Sequence, residues 1–258
     1  MRSTKPSLAE LRAVCQPHTI MGRVSAEHWT GRLYMRSLSL HLTRALLPTR
    51  ITPNGVTWLM IVSGLAAAAL LTVPAWWSAA AVLALTQLQM LLDCSDGEIA
   101  RWRGTTGAAG IYLDRIAHYT TEAGLLAALG VRADGGLGAV GGWTTWGLVG
   151  AVLVLVLKAE TDLVHVARAL SGLPPVTDDA AVPRPATLRG LRRVVAFLPF
   201  HRAIGSIEVG VLAVVAAAVD VATASLTGTR ALSLALVVVA AIVAGGHLLS
   251  VLASSRLR

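Results

Sequence analysis

Two uncharged runs of 18 residues, Val56–Val73 and Ala75–Leu92, stand back to back with only Pro74 between them. Each is near the roughly 20 residues that an α-helix needs to cross a bilayer core about 30 Å thick. In lipid a lone extended segment would leave its backbone polar groups unsatisfied, so helices are the expected form. The rest of the chain agrees: 55% of its 258 residues are hydrophobic and 14% are charged, whereas soluble domains are about 45–50% apolar. These properties predict an all-α, polytopic integral membrane protein.

Taken in order, the pattern predicts six spans: the two runs above, then about 108–131, 143–167, 203–226 and 231–252. Gly135–Gly142 is a glycine-rich turn, and 171–202, with Pro174, Pro175, Pro183 and Pro185, reads as a loop that includes a short surface helix. Residues 1–25 read as a loose or partly ordered cytosolic arm, and 26–258 as one transmembrane domain. No apolar core follows Arg2 and Lys5 before Ile51, so a cleaved signal peptide is not expected. Between about 26 and 47, Trp29, Leu33, Met35, Leu38, Leu40 and Leu42 alternate with Arg32, Arg36, His41 and Arg44. This suits an amphipathic helix in the interface with its basic side toward lipid headgroups, or one packed on the protein's own cytosolic face.

The net charge of +8 is unevenly spread. Six spans put 18 of the 22 Lys and Arg residues on the side of both termini, and only Arg132 and Arg230 on the other. The positive-inside bias therefore predicts cytoplasmic termini, at the plasma membrane. The basic excess points to anionic lipid or phosphorylated ligands, and no nucleic acid is expected because no aromatic-interleaved basic module is present.

Against this apolar background, the stretch from Leu92 to Tyr119 carries Asp93, Asp96, Arg101, Asp114, Arg115 and His118. Ionisable groups near membrane depth are expensive and mark functional sites. Asp93 and Asp96 are three apart on one helix face, and Asp114 sits one turn inside the cytosolic end of the next helix. Three converging carboxylates call for a cation, and an all-oxygen set suits Mg²⁺ or Mn²⁺ bound together with phosphates. Gly97 and Ala100 keep the helix surface low for an approaching ligand, Gly110 allows close helix approach, and Arg101 can pair with a phosphate.

The pattern Asp93-x-x-Asp96-Gly97-x-x-Ala100-Arg101, followed by Gly110-x-x-x-Asp114, resembles the signature of the CDP-alcohol phosphotransferases, membrane enzymes of phospholipid synthesis. Thr52-Pro53-Asn54 and Thr57 are similar to that family's entry segment. The resemblance implies that Asp93, Asp96 and Asp114 hold two divalent ions bridging the diphosphate of a CDP-linked donor. Gly97, Ala100, Arg101 and Gly110, with Asn54 and Thr57, would shape the nucleotide pocket. The acceptor would be an alcohol or sugar phosphate, with lipid as a further partner and a homodimer as the assembly. One position departs: the family's fourth Asp, held to take the proton from the attacking alcohol, is His118 here. A neutral imidazole can serve as that base. Metal ligation, a substrate-orienting role, or a relic in a weakly active protein are the other readings.

The same residues leave two other classes open, an Mg²⁺-dependent intramembrane prenyltransferase and a nonenzymatic lipid-binding or transport protein. A second Asp-rich motif on a distant span, usual in the former, is not evident. Outside the motif, Arg184, Arg189, Arg192, Arg193 and Arg202 suit acidic lipid or an anionic acceptor. Glu122 could orient His118 or serve packing, and Glu208 could meet substrate or Lys158. Gly147-x-x-Gly150 permits close helix packing, Trp76, Trp77, Trp143 and Trp146 suit interfacial anchors, and Cys94 reads as a small buried residue.

Overall fold

The computed structural model describes residues 6–17, 29–174, 202–254 and 256–257. Arg184, Arg189, Arg192 and Arg193, and the surface helix expected near them, lie outside the described residues, as does the start of the expected helix at 26. Among the described residues there are eight α-helices and no strand. They are α1 Leu8–Cys15, α2 Arg36–Leu46, α3 Pro53–Leu71, α4 Trp76–Arg103, α5 Ala108–Asp134, α6 Gly142–Leu170, α7 Ser206–Thr223 and α8 Thr227–Ala253. By length and composition α3, α4, α7 and α8 can cross a membrane. The residues group into two compact units, Met1–Ala67 with Ala84–Thr120, and Ala68–Leu83 with Thr121–Arg258.

In the first unit the local sequence explains the starts of α1 and α3. Residues 8–15, within the arm expected to be loose or partly ordered, form a helix that Ser7 and Glu10 start with a reciprocal capping box. Ser7 Oγ accepts from the Glu10 amide at 3.2 Å, and Glu10 Oε2 accepts from the Ser7 amide at 2.7 Å. Those bonds from Ser7 hold the Glu10 carboxyl below its ordinary pKa of 4.5. Leu11 and Cys15, one turn apart, give α1 a buried face. A π-helical turn, Gly31–Met35, leads into α2, whose buried positions are Ser39, Leu40 and Thr43.

Helix α3 begins on Thr52-Pro53: the Thr52 hydroxyl accepts from the Gly55 amide at 3.0 Å, and proline occupies the first turn, where no amide hydrogen is needed. At the end of α4, Arg103 donates to the carbonyls of Leu47, Thr49 and Ile51, pinning the turn between α2 and α3. The apolar core of this unit joins Leu11, Leu40, Val56, Met60, Ile99 and Trp102.

In the second unit α8 packs along α6 and α7. Lipid offers little hydrophobic drive between helices, so small residues and internal hydrogen bonds carry the association. Gly147 is used in this way within the chain: a Cβ on Gly130 would lie 2.5 Å from the Trp143 carbonyl and 2.8 Å from Gly147 Cα. Gly150 likewise faces Leu126 and Val237. The end of α5 is fastened by Asp134, whose Oδ2 accepts from the Gly141 and Thr144 amides at 2.7 Å each, capping α6. Arg132, placed by the sequence just past the third expected span, is 1% exposed. It donates to Ser78 Oγ at 2.9 Å, Thr229 Oγ1 at 3.1 Å, and the carbonyls of Val73 and Ala75.

Candidate active site

The start of α3, the last turns of α4 and the start of α5 enclose a cavity of about 340 Å³ in the first unit. That volume lies in the range of about 300–1,000 Å³ common for small-molecule sites. Nine of the ten site residues expected from the sequence line it: Asn54, Thr57, Asp93, Asp96, Gly97, Ala100, Arg101, Gly110 and Asp114. The helical repeat explains the α4 set, since 93, 96, 97, 100 and 101 fall at i, i+3, i+4, i+7 and i+8 on one face.

His118, the tenth, is not among the lining residues. It sits one turn further along α5 than Asp114, with Nε2 3.6 Å from Asp114 Oδ1 and 3.4 Å from Asp93 Oδ1. Ligating atoms of Asp93, Asp114 and His118 all lie within 4.8 Å of one another. Two carboxylates and one imidazole at that separation fit a divalent cation in both donor type and spacing. Asp96 occupies the same wall, and its Oδ2 accepts from the Thr57 hydroxyl at 2.6 Å. Thr57, 2% exposed, thus reaches a carboxylate across the helix pair.

Two glycines differ in what they make room for. A Cβ on Gly97 would lie 2.9 Å from Arg101 Nη1, so the guanidinium folds over the bare backbone at 97. Arg101 is also braced from behind, its Nε donating to the Cys15 carbonyl at 2.7 Å. At Gly110 a Cβ would make only ordinary contact, 3.5 Å from Asn54 Oδ1. Helix approach does not demand glycine there, and its bare backbone instead leaves cavity space beside Asn54.

The family model for CDP-alcohol phosphatidyltransferases matches residues 50–254. The chain belongs to that family. No curated protein sequence matches it significantly. CDP-alcohol phosphatidyltransferases transfer phosphate-linked groups from CDP-alcohols in lipid biosynthesis and use divalent metals, which agrees with a cavity walled by three carboxylates.

The cavity also has members that sequence reasoning missed. Arg36 of α2, a helix expected either to turn its basic side to headgroups or to pack on the protein's own cytosolic face, lines it, as do Cys94, Thr105, Thr106 and Ile111. Arg36 lies ahead of the family match, and only an amphipathic pattern marked its helix, so no motif spacing could have singled it out. Elsewhere, Glu122 accepts from Lys158 Nζ at 2.8 Å. Glu208 lies over the start of α7, its Oε2 2.8 Å from a Cβ position on Gly205, where a carboxylate favours the helix dipole. Thr161 Oγ1 and His247 Nε2 are 3.5 Å apart.

Proposed function

We propose that this phosphatidyltransferase family member moves a substituted phosphate from a CDP-linked alcohol, such as CDP-diacylglycerol, to an acceptor hydroxyl of an alcohol or sugar phosphate. The observation that carries this reading is the convergence of Asp93, Asp96, Asp114 and Arg101 on one cavity beside a bare Gly97. Asp93, Asp96 and Asp114 would hold Mg²⁺ or Mn²⁺. Bound there, the cation neutralises charge on the diphosphate and on the departing CMP.

The acceptor oxygen attacks the phosphorus nearest the donor's alcohol group, and the bond from that phosphorus to the CMP oxygen breaks. His118 Nε2 takes the proton of the attacking hydroxyl. Arg101 holds a phosphate oxygen, and Asn54, Ala100 and Gly110 shape the nucleotide end. In the same reading α3–α8 are six spans, α2 lies in the interface, and both termini and the cavity face the cytoplasm. The charge bias of the sequence supports that orientation. Residues 26–258 then make one catalytic domain, with the earlier residues as an arm fastened to it. The test is CMP release by purified protein with Mn²⁺, labelled CDP-diacylglycerol or CDP-inositol, and a panel of acceptors. No release with any pair would end this reading.

A further inference from the structure

Glu98 stands between Gly97 and Arg101 on α4, yet it faces away from the cavity and is fully buried. A buried carboxyl is costly unless its oxygens are satisfied. Here Oε1 accepts from Gln16 Nε2 at 2.7 Å and Ser39 Oγ at 2.6 Å, and Oε2 accepts from Thr43 Oγ1 at 2.8 Å. Ser39 and Thr43 are one turn apart and present a single face of α2 to this carboxyl. The Glu98 backbone joins in, its carbonyl accepting from Cys15 Sγ at 3.3 Å. One residue therefore fastens two N-terminal segments to the back of the cavity wall.

Both segments also touch groups that line the cavity. Gln16 Nε2 donates a second bond, to the Arg36 carbonyl at 2.8 Å, which uses both hydrogens of one amide nitrogen. The adjacent Cys15 carbonyl accepts from Arg101 Nε. Arg36 and Arg101 both line the cavity, and the Arg36 backbone and the Arg101 guanidinium are each held by a segment that the same buried carboxyl fastens. Guanidinium groups bind phosphate oxygens through paired donors, and the binding depends on their orientation.

We propose that Glu98 is a positioning residue, and that the N-terminal segments it fastens complete the donor site by setting Arg36 beside Arg101 as a pair for the diphosphate of a nucleotide donor. This rests on the transfer reading for the identity of the ligand. It adds that residues ahead of the family match supply part of the site, with Arg36 a phosphate-binding residue and Gln16 acting through it.

The test uses the full chain in detergent with Mn²⁺, reading CDP affinity directly and the KM and kcat of CMP release. Arg36→Ala and Gln16→Ala are each expected to weaken CDP binding and raise the donor KM about tenfold, the equivalent of one charged hydrogen bond, with kcat within about threefold. The double variant is expected to match Arg36→Ala alone, because Gln16 acts through Arg36. Glu98→Gln, which keeps an acceptor for Gln16 and Ser39, is expected to retain most of the affinity that Glu98→Ala loses. Gln16→Ala keeps the test decisive if Glu98→Ala fails to fold. CDP affinity equal in wild type and Gln16→Ala would overturn the proposal, as would a Gln16→Ala effect confined to melting temperature or kcat, or fully multiplicative losses in the double variant. Wild-type protein that binds CDP but releases no CMP would end the transfer reading alone.

Discussion

The hydroxyl of Thr57 donates to Oδ2 of Asp96 at 2.6 Å, joining the first turns of α3 to the last turns of α4 at the cavity wall. Thr57→Val keeps the buried volume and removes the donor. We expect CMP release to fall about tenfold, for loss of about 1.5 kcal/mol of orientation of the carboxylate, with a higher Mn²⁺ requirement. Titration of activity against Mn²⁺ checks this, and an unchanged metal dependence would contradict it.

His118 touches Asp93 and Asp114, and its role separates by variant. His118→Ala should lower kcat by about 10²–10⁴ if Nε2 is the proton acceptor, while CDP binding survives. His118→Asp should recover part of the rate. Loss of Mn²⁺-dependent CDP binding in the Ala variant would point to ligation instead, and a wild-type rate would remove His118 from the chemistry.

Arg132 is buried and donates to four acceptors, so truncating it removes four charged hydrogen bonds and the packing of a large buried side chain. Arg132→Ala is expected to cost about 3 kcal/mol of stability or more, seen as a lower melting temperature, with the donor KM unchanged in the folded fraction. A fully stable variant would refute the structural role.

Gly130 and Gly245 are both helical glycines with opposite expectations. Ala at 130 meets backbone of α6 and should destabilise by about 1–3 kcal/mol. Ala at 245 meets nothing within 4 Å and should stabilise by about 0.5 kcal/mol. Melting temperatures of the two variants that shift in the same direction would show that helix contact is not what distinguishes them.

The capping box gives a pH dependence confined to α1. Because the folded pKa of Glu10 is depressed, its contribution is present above about pH 4.5 and is lost as pH falls through the lower folded value. The amide-exchange protection factors of residues 8–15, taken relative to intrinsic exchange at the same pH, should therefore fall in acid, and Ser7→Ala should lower them likewise at neutral pH. Protection that is independent of both changes would count against the cap.

Much of the cavity was legible because its residues repeat at helical spacing. Asp93, Asp96, Gly97, Ala100 and Arg101 share a face that any helix would produce. His118 was legible as a departure from a motif, and its position beside Asp93 follows from the approach of α4 and α5. The burial of Arg132 was not legible, because its four acceptors are assembled from segments distant in the chain. Arg36 was one of several basic residues in an amphipathic pattern, and Gln16 carried no pattern that distinguished it from other polar residues of the arm.

The sequence by itself determined the apolar helices long enough to cross a membrane and the carboxylate motif, because hydropathy and helical spacing are local properties of the chain, and the motif's resemblance pointed to the family that the family model shows. Only the tertiary structure decided that Thr57 reaches Asp96, that Glu98 faces away from the cavity to hold Gln16, Ser39 and Thr43, and that Arg36 joins the lining. The physical reason is that buried polar groups must find partners wherever packing brings them, and those partners lie tens of residues away in the chain.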